Sequence, residues 1–186
     1  IKILVYDVEF DYVTTRETGS GVFGYFWSKD YYETSGSNKG DIIYIDSYFT
    51  DCTANQMYST LIHEFQHMIN FNRKNIAYNT SSATWYNELL SLVAEDMIGP
   101  EIGLPAASGP IGTRVPAFLA YYDYDGLTTW NSTLANYSIA YAFGAYLARN
   151  YGGPALISAI ESNASVNVDS IDCLLYTSPS PRDPSL

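Results

Sequence analysis

The chain has 186 residues, 47% of them apolar and 16% charged, which is chain and apolar surface enough for one domain with its own core. Nine Lys plus Arg against twenty Asp plus Glu give a formal charge of -11, which repels nucleic acid and anionic membrane surfaces and argues against both as partners. The apolar runs are short and interrupted, far from the roughly 20 residues a membrane-spanning helix needs, so the piece reads as soluble.

The chain opens at Ile1 inside a predicted strand, IKILVYDV, with Ile1, Ile3 and Val5 on one face. It has no initiator Met, basic n-region or signal sequence, and so reads as a fragment whose N-terminal part is missing. The runs GVFGYFW and DIIYID, separated by turn material over 36–40, predict two more short strands. From Thr53 the period changes: Thr53 and Gln56 fit a capping box, and Met57, Leu61, Ile62, Phe65, Met68 and Ile69 recur at helical spacing to about Phe71. A polar loop over 72–82 leads to a second helix over 83–98, with Ser82 or Thr84 as its cap and Gly99-Pro100 as its stop. A short helix over 115–122, a longer one over 138–151 ended by Gly152-Gly153, and a last one from Pro154 to about Ser162 complete the list. These elements predict an α+β protein: a small, mixed, mainly antiparallel N-terminal sheet, a first long helix and a helical C-terminal half.

The last stretch, CLLYTSPSPRDPSL, departs from the rest in being rich in Ser and Pro without an apolar period. The expected organisation is one domain over 1–171 and a tail of non-native appearance over 172–186. Cys52 and Cys173 are the only cysteines, too few for a disulfide framework.

The run His63-Glu64-Phe65-Gln66-His67 falls inside the first long helix. In a helix, residues i and i+4 lie about 40° apart around the axis and about 6 Å along it, so both imidazoles leave one face and can meet one metal ion. Glu64 flanks that face, where a carboxylate reaches an attacking water without being a ligand. Chance occurrence of this pattern is the bland alternative, but here it consumes both histidines of the chain. A catalytic zinc takes three protein ligands, and with no histidine left the third has to be a carboxylate. Glu88, after twenty intervening residues, supplies it from the second helix. Glu95 lies seven residues further on, about 20° from the same face, and is a candidate to accept a hydrogen bond from the far ring nitrogen of a ligand histidine; otherwise it is a solvated carboxylate beside Asp96.

A helix bearing HExxH, followed some twenty residues later by one bearing Asn-Glu, resembles the gluzincin metallopeptidases, such as thermolysin and aminopeptidase N. The segments STLIHEFQHMINFNRK, WYNELLSLVAEDM and YAFGAYLARNYGG resemble those of the hyicolysin family of bacterial metallopeptidases, over roughly residues 1–165. The resemblance implies a zincin fold, a single zinc ion, hydrolysis of peptide bonds in a protein or peptide substrate, and an extracellular or cell-envelope location. It also implies that Tyr141, at the start of a Tyr-x-x-Gly helix segment, stabilises the oxyanion, the alternative being a packing aromatic. By the same resemblance the strand holding Gly24, Tyr25 and Phe26 is the edge on which an extended substrate lies, the alternative being an ordinary core strand. The Gly-x-Met-Glu-Asn segment of aminopeptidases is not seen ahead of HExxH, which favours an endopeptidase over an exopeptidase. A metal-binding module that has lost activity is a further alternative, against which the presence of Glu64 argues. Oligomeric state is not legible in the sequence.

Overall fold

A computed structural model of the chain describes residues 1–8, 21–48 and 54–176. Three strands come first: β1 (Lys2–Tyr6), β2 (Gly24–Phe26) and β3 (Ile42–Asp46), in the sheet order β1-β3-β2. The sheet is mixed as expected, yet its longer pairing is parallel: Lys2 to Tyr6 runs alongside Ile42 to Asp46, while only β2 is antiparallel to β3. The chain enters β1 and β3 in the same direction, and no short hairpin joins two parallel strands. β3 is the central strand and is buried throughout, as its unbroken Ile-Ile-Tyr-Ile run suits. Among the described residues β2 lies at one margin of the sheet, with no further strand beside it.

Helix α1 (Ala54–Asn70) lays Met57, Leu61 and Met68 on Ile43 and Ile45 of β3. Thr53, half of the predicted capping box, lies outside the described residues, as does the side chain of Gln56. Where a polar loop was expected from Asn72, the chain continues as a wide, π-type helical turn over Phe71–Ala77. Lys74 explains this: its ammonium is buried and donates to the carbonyls of Ile160, Asn163 and Ser165 at 2.7, 2.8 and 2.9 Å, which holds the turn against the far end of the chain.

Helix α2 (Thr84–Ile98) is entered through Ala83 with no side-chain cap. Ser82, one of the two predicted caps, donates instead to Asn70 Oδ1 at 2.8 Å, and the Ala83 N–H is taken by Asn167 Oδ1. Helix α3 (Pro110–Tyr121) begins five residues earlier than predicted, and α4 (Leu134–Tyr151) starts at a capping box of Thr133 and Asn136. α2 and α4 form the main core, with Leu89, Leu90, Val93, Ala140 and Leu147 at its centre. They come close because Gly144 has no side chain: a Cβ there would lie 2.6 Å from Val93 Cγ2 and 2.8 Å from Leu89 Cγ. Helix α5 (Pro154–Ser162) is as predicted. Helix α6 (Asn167–Leu175) runs through the boundary expected after residue 171, and Leu174 and Leu175 pack on the main core. Among the described residues no helix is long and apolar enough to cross a membrane.

Candidate metal centre

α1 and α2 lie side by side, and the seam between them carries the site. His63 and His67 leave α1 one turn apart, their rings 4.6 Å between centroids and nearly perpendicular. α2 presents Glu88 to both: His63 Nε2 is 3.1 Å from Oε2 and His67 Nε2 is 3.6 Å from Oε1. One ligand atom from each of the three lies within 4.8 Å of the others, so a single ion can be reached by all.

The opposite ring nitrogens are tied back to the same helix. His63 Nδ1 lies 2.7 Å from Glu95 Oε1, and Ser59 donates to the other oxygen of Glu95. His67 Nδ1 lies 3.1 Å from Ser91 Oγ. Glu88, Ser91 and Glu95 sit at i, i+3 and i+7, so one stripe of α2 carries the carboxylate between the rings and both groups that orient them. With an ion bound, partners that accept the Nδ1–H would leave Nε2 free of hydrogen, the form a metal needs. Glu95 was predicted in this role. Ser91 was not, although its spacing from Glu88 was visible.

Electrostatics favour a cation here. Burial alone would lower the His63 pKa, but the hydrogen bonds to Glu88 and Glu95 outweigh it and push it up to about 10. Without an ion, His63 therefore carries the positive charge that the carboxylates demand. His67 goes the other way, lowered by its burial and by the charge on His63, which leaves its Nε2 lone pair available. Two imidazoles and one carboxylate, each ring anchored behind, make a donor set that fits a divalent metal ion.

Glu64 is not one of the three grouped ligand residues but shares the cavity wall with His63. Its Oε2 accepts the backbone N–H of Phe26 at 2.9 Å, leaving Oε1 open to a ligand. Burial raises its pKa to about 7. β2 reaches Glu64 because it lies hard against α1: a Cβ on Gly24 would come within 2.7 Å of Thr60 Cγ2 and of the Tyr44 carbonyl oxygen. Gly24 and Phe26 both border the cleft. Tyr25 does not, since successive strand residues face opposite sides; its ring stacks on Tyr44 at 4.6 Å and its hydroxyl meets that of Tyr6.

Cavities adjoin the histidine pair on both sides. One, of about 670 Å³, is lined by Gly24, His63, Glu64, Glu95, Arg114 and Tyr137 among others. The second, of about 300 Å³, is lined by Phe26, His67, Asn70, Ser82, Asn87 and Glu88 among others. Tyr141 borders neither cavity. It is buried to 1% exposure against Leu92 and Ala145, and its hydroxyl interacts with Asp96 and Arg149. The oxyanion position expected at Tyr141 is therefore not reached by that side chain. Tyr137, one turn earlier on α4, faces the cleft; burial and the carboxylates of Glu88 and Glu64 raise its pKa to about 12, so its hydroxyl keeps its proton at neutral pH.

Comparison with known proteins agrees with this geometry. The chain is 30% identical over 161 residues to the neutral metalloprotease ShpI of Staphylococcus hyicus, an alignment covering 79% of this chain and 34% of that protein. The chain thus spans about a third of the relative it matches. A family model for peptidase M30 matches residues 5–176, a range that holds both histidines, Glu64, Glu88 and Glu95. By that match, and in keeping with the hyicolysin-like motifs of its helices, the chain belongs to the peptidase M30 family.

Proposed function

We propose that this chain is the catalytic domain of a zinc-dependent peptidase, in which His63, His67 and Glu88 hold one zinc ion and Glu64 is the general base. The observation that carries the reading is the meeting of the three ligand atoms within 4.8 Å beside a carboxylate with one open oxygen. When bound, zinc lowers the pKa of a coordinated water and polarises the scissile carbonyl.

The protein's own groups do the rest. Phe26 N–H holds Glu64 Oε2, so Oε1 takes the proton of the attacking water and later gives it to the leaving amine. Burial raises the pKa of this carboxyl above its ordinary value, which makes it the stronger base for taking that proton. Tyr137 donates its hydroxyl proton toward the carbonyl oxygen as negative charge builds there. Glu95 and Ser91 keep the imidazoles turned toward the ion.

An endopeptidase suits the cleft, because one cavity adjoins His63 and the other His67, and β2 borders both, with Gly24 at one and Phe26 at the other. An extended peptide can then pass through rather than stop at one end. The range 1–171, with the rest of α6, is the proposed catalytic domain, and an extracellular or cell-envelope location is the one we expect for the whole protein.

Elemental analysis and casein cleavage test the proposal together. The purified chain should hold about one zinc and lose casein cleavage to a chelator, and His63→Ala or His67→Ala should lose the ion, because two ligands do not make a catalytic site. Stoichiometric zinc in both variants would remove the assignment. Zinc without cleavage would leave a metal-binding module, and release of single N-terminal residues would make it an exopeptidase.

A further inference from the structure

Arg114 brings a positive charge to the cleft, one that acts on Glu88 and on Tyr137. It is carried by α3, whose buried Pro110 and Ala117 face the body of the protein. Its guanidinium lies 5.4 Å from the centre of the Tyr137 ring. Among the described residues it has no ion pair and no hydrogen bond. It is the one Lys or Arg among the residues lining the larger cavity, beside His63, Glu64 and Tyr137. The two carboxylates of that lining are already engaged, Glu64 by the Phe26 N–H and Glu95 by His63 and Ser59.

A cation stacked on an aromatic ring uses the face of its plane and leaves the N–H groups on its edge free. Those edges form a fork that matches a carboxylate with two parallel hydrogen bonds. Tyr137 also limits the rotamers of a long side chain, so less freedom is lost when a ligand binds. With a formal charge of -11, the chain as a whole repels anionic peptides. A preference for one would have to come from a local contact.

We propose that Arg114 is a specificity residue that binds a carboxylate of the substrate, either an acidic side chain near the bond to be cut or the free carboxyl end of a peptide. This rests on the peptidase reading above for the direction of the cleft, but its test reads binding and not turnover. The probe is a set of fluorescein-labelled nonapeptides of Ala and Gly with one Asp placed at each position in turn, each paired with its Asn counterpart, and with a free or amidated C-terminus. They are titrated by fluorescence anisotropy against the zinc-loaded chain carrying Glu64→Gln, which cannot consume them.

A charge-assisted bond exceeds a neutral one by about 1 kcal/mol or more, so one member of the set should bind at least about fivefold more tightly than its amide partner. Adding Arg114→Gln should bring that ratio close to one, and Arg114→Lys should keep part of it by retaining the charge. An internal Asp giving the ratio identifies a side chain as the source; the free terminus giving it identifies a chain end. Ratios near one throughout, a ratio that survives Arg114→Gln, or no binding of any peptide would overturn the inference. An Arg that merely contacts peptide carbonyls gives equal affinities for acid and amide. Casein cleavage by the chain with Glu64 intact separates the two ideas: selective binding without cleavage defeats the peptidase reading alone, and cleavage without selectivity defeats this one alone.

Discussion

Glu95 Oε1 lies 2.7 Å from His63 Nδ1, behind the ring whose Nε2 faces Glu88. The two carboxylates of α2 thus hold one imidazole from opposite sides, which makes their roles separable by mutation. Glu88→Ala removes a ligand atom and should abolish zinc binding. Glu95→Ala leaves the ligands intact and should weaken zinc by about 10- to 100-fold, with Ser91→Ala at the lower end because a hydroxyl is the weaker partner. Competition against a chromophoric chelator gives the ranking. If Glu95→Ala cost more zinc than Glu88→Ala, their places would be exchanged.

For Glu64 the expected result is a split between metal and rate. Glu64→Gln is nearly isosteric and its side-chain oxygen still accepts the Phe26 N–H, so zinc content should remain near one per chain. The amide takes no proton, and cleavage of a fluorogenic peptide should fall by roughly 100- to 10,000-fold. Near-native turnover in a zinc-replete preparation would mean that another group is the base.

Tyr137 and Tyr141 make a matched pair of tests. Tyr137→Phe deletes a hydroxyl that faces the cleft, and should lower kcat by roughly 100-fold with little change in KM. Tyr141→Phe deletes a hydroxyl buried beside Asp96 and Arg149; it should cost about 1 kcal/mol of stability and leave the kinetics nearly intact. Steady-state kinetics and thermal melts on both variants decide between them. A catalytic defect in Tyr141→Phe alone would restore the role first expected for it.

Lys74 is a stability prediction remote from the chemistry. Lys74→Met preserves the length of the side chain but strips the carbonyls of Ile160, Asn163 and Ser165 of their donor. Unsatisfied acceptors make this cost about 3 kcal/mol or more, which for a protein of this size is roughly 6 to 12 °C in Tm. Differential scanning calorimetry measures it. A drop of less than about 2 °C would show that water replaces the ammonium without penalty.

What the sequence determined by itself is what helix geometry makes local. His63 and His67 share a face because they are four residues apart, and Glu88 and Glu95 share one because they are seven apart; both statements hold in any α-helix, whatever packs on it. The candidates for ligands and base were legible for that reason, and the stop at Gly152-Gly153, both at positive φ, likewise follows from local backbone preferences. Tertiary structure decided everything that depends on how two elements meet. Tyr137 and Tyr141 also share a face, and no local rule separates them; the choice falls to Gly144, where α4 closes on α2 and buries the nearer tyrosine against Leu92 while the one a turn away reaches the cleft. The Phe26 N–H that orients Glu64 depends on β2 lying against α1, the parallel pairing of β1 with β3 depends on partners 40 residues apart, and the burial of Lys74 depends on carbonyls more than 80 residues away. Spacing within one element is fixed by its own backbone, whereas contacts between elements are set by the packing of the whole chain.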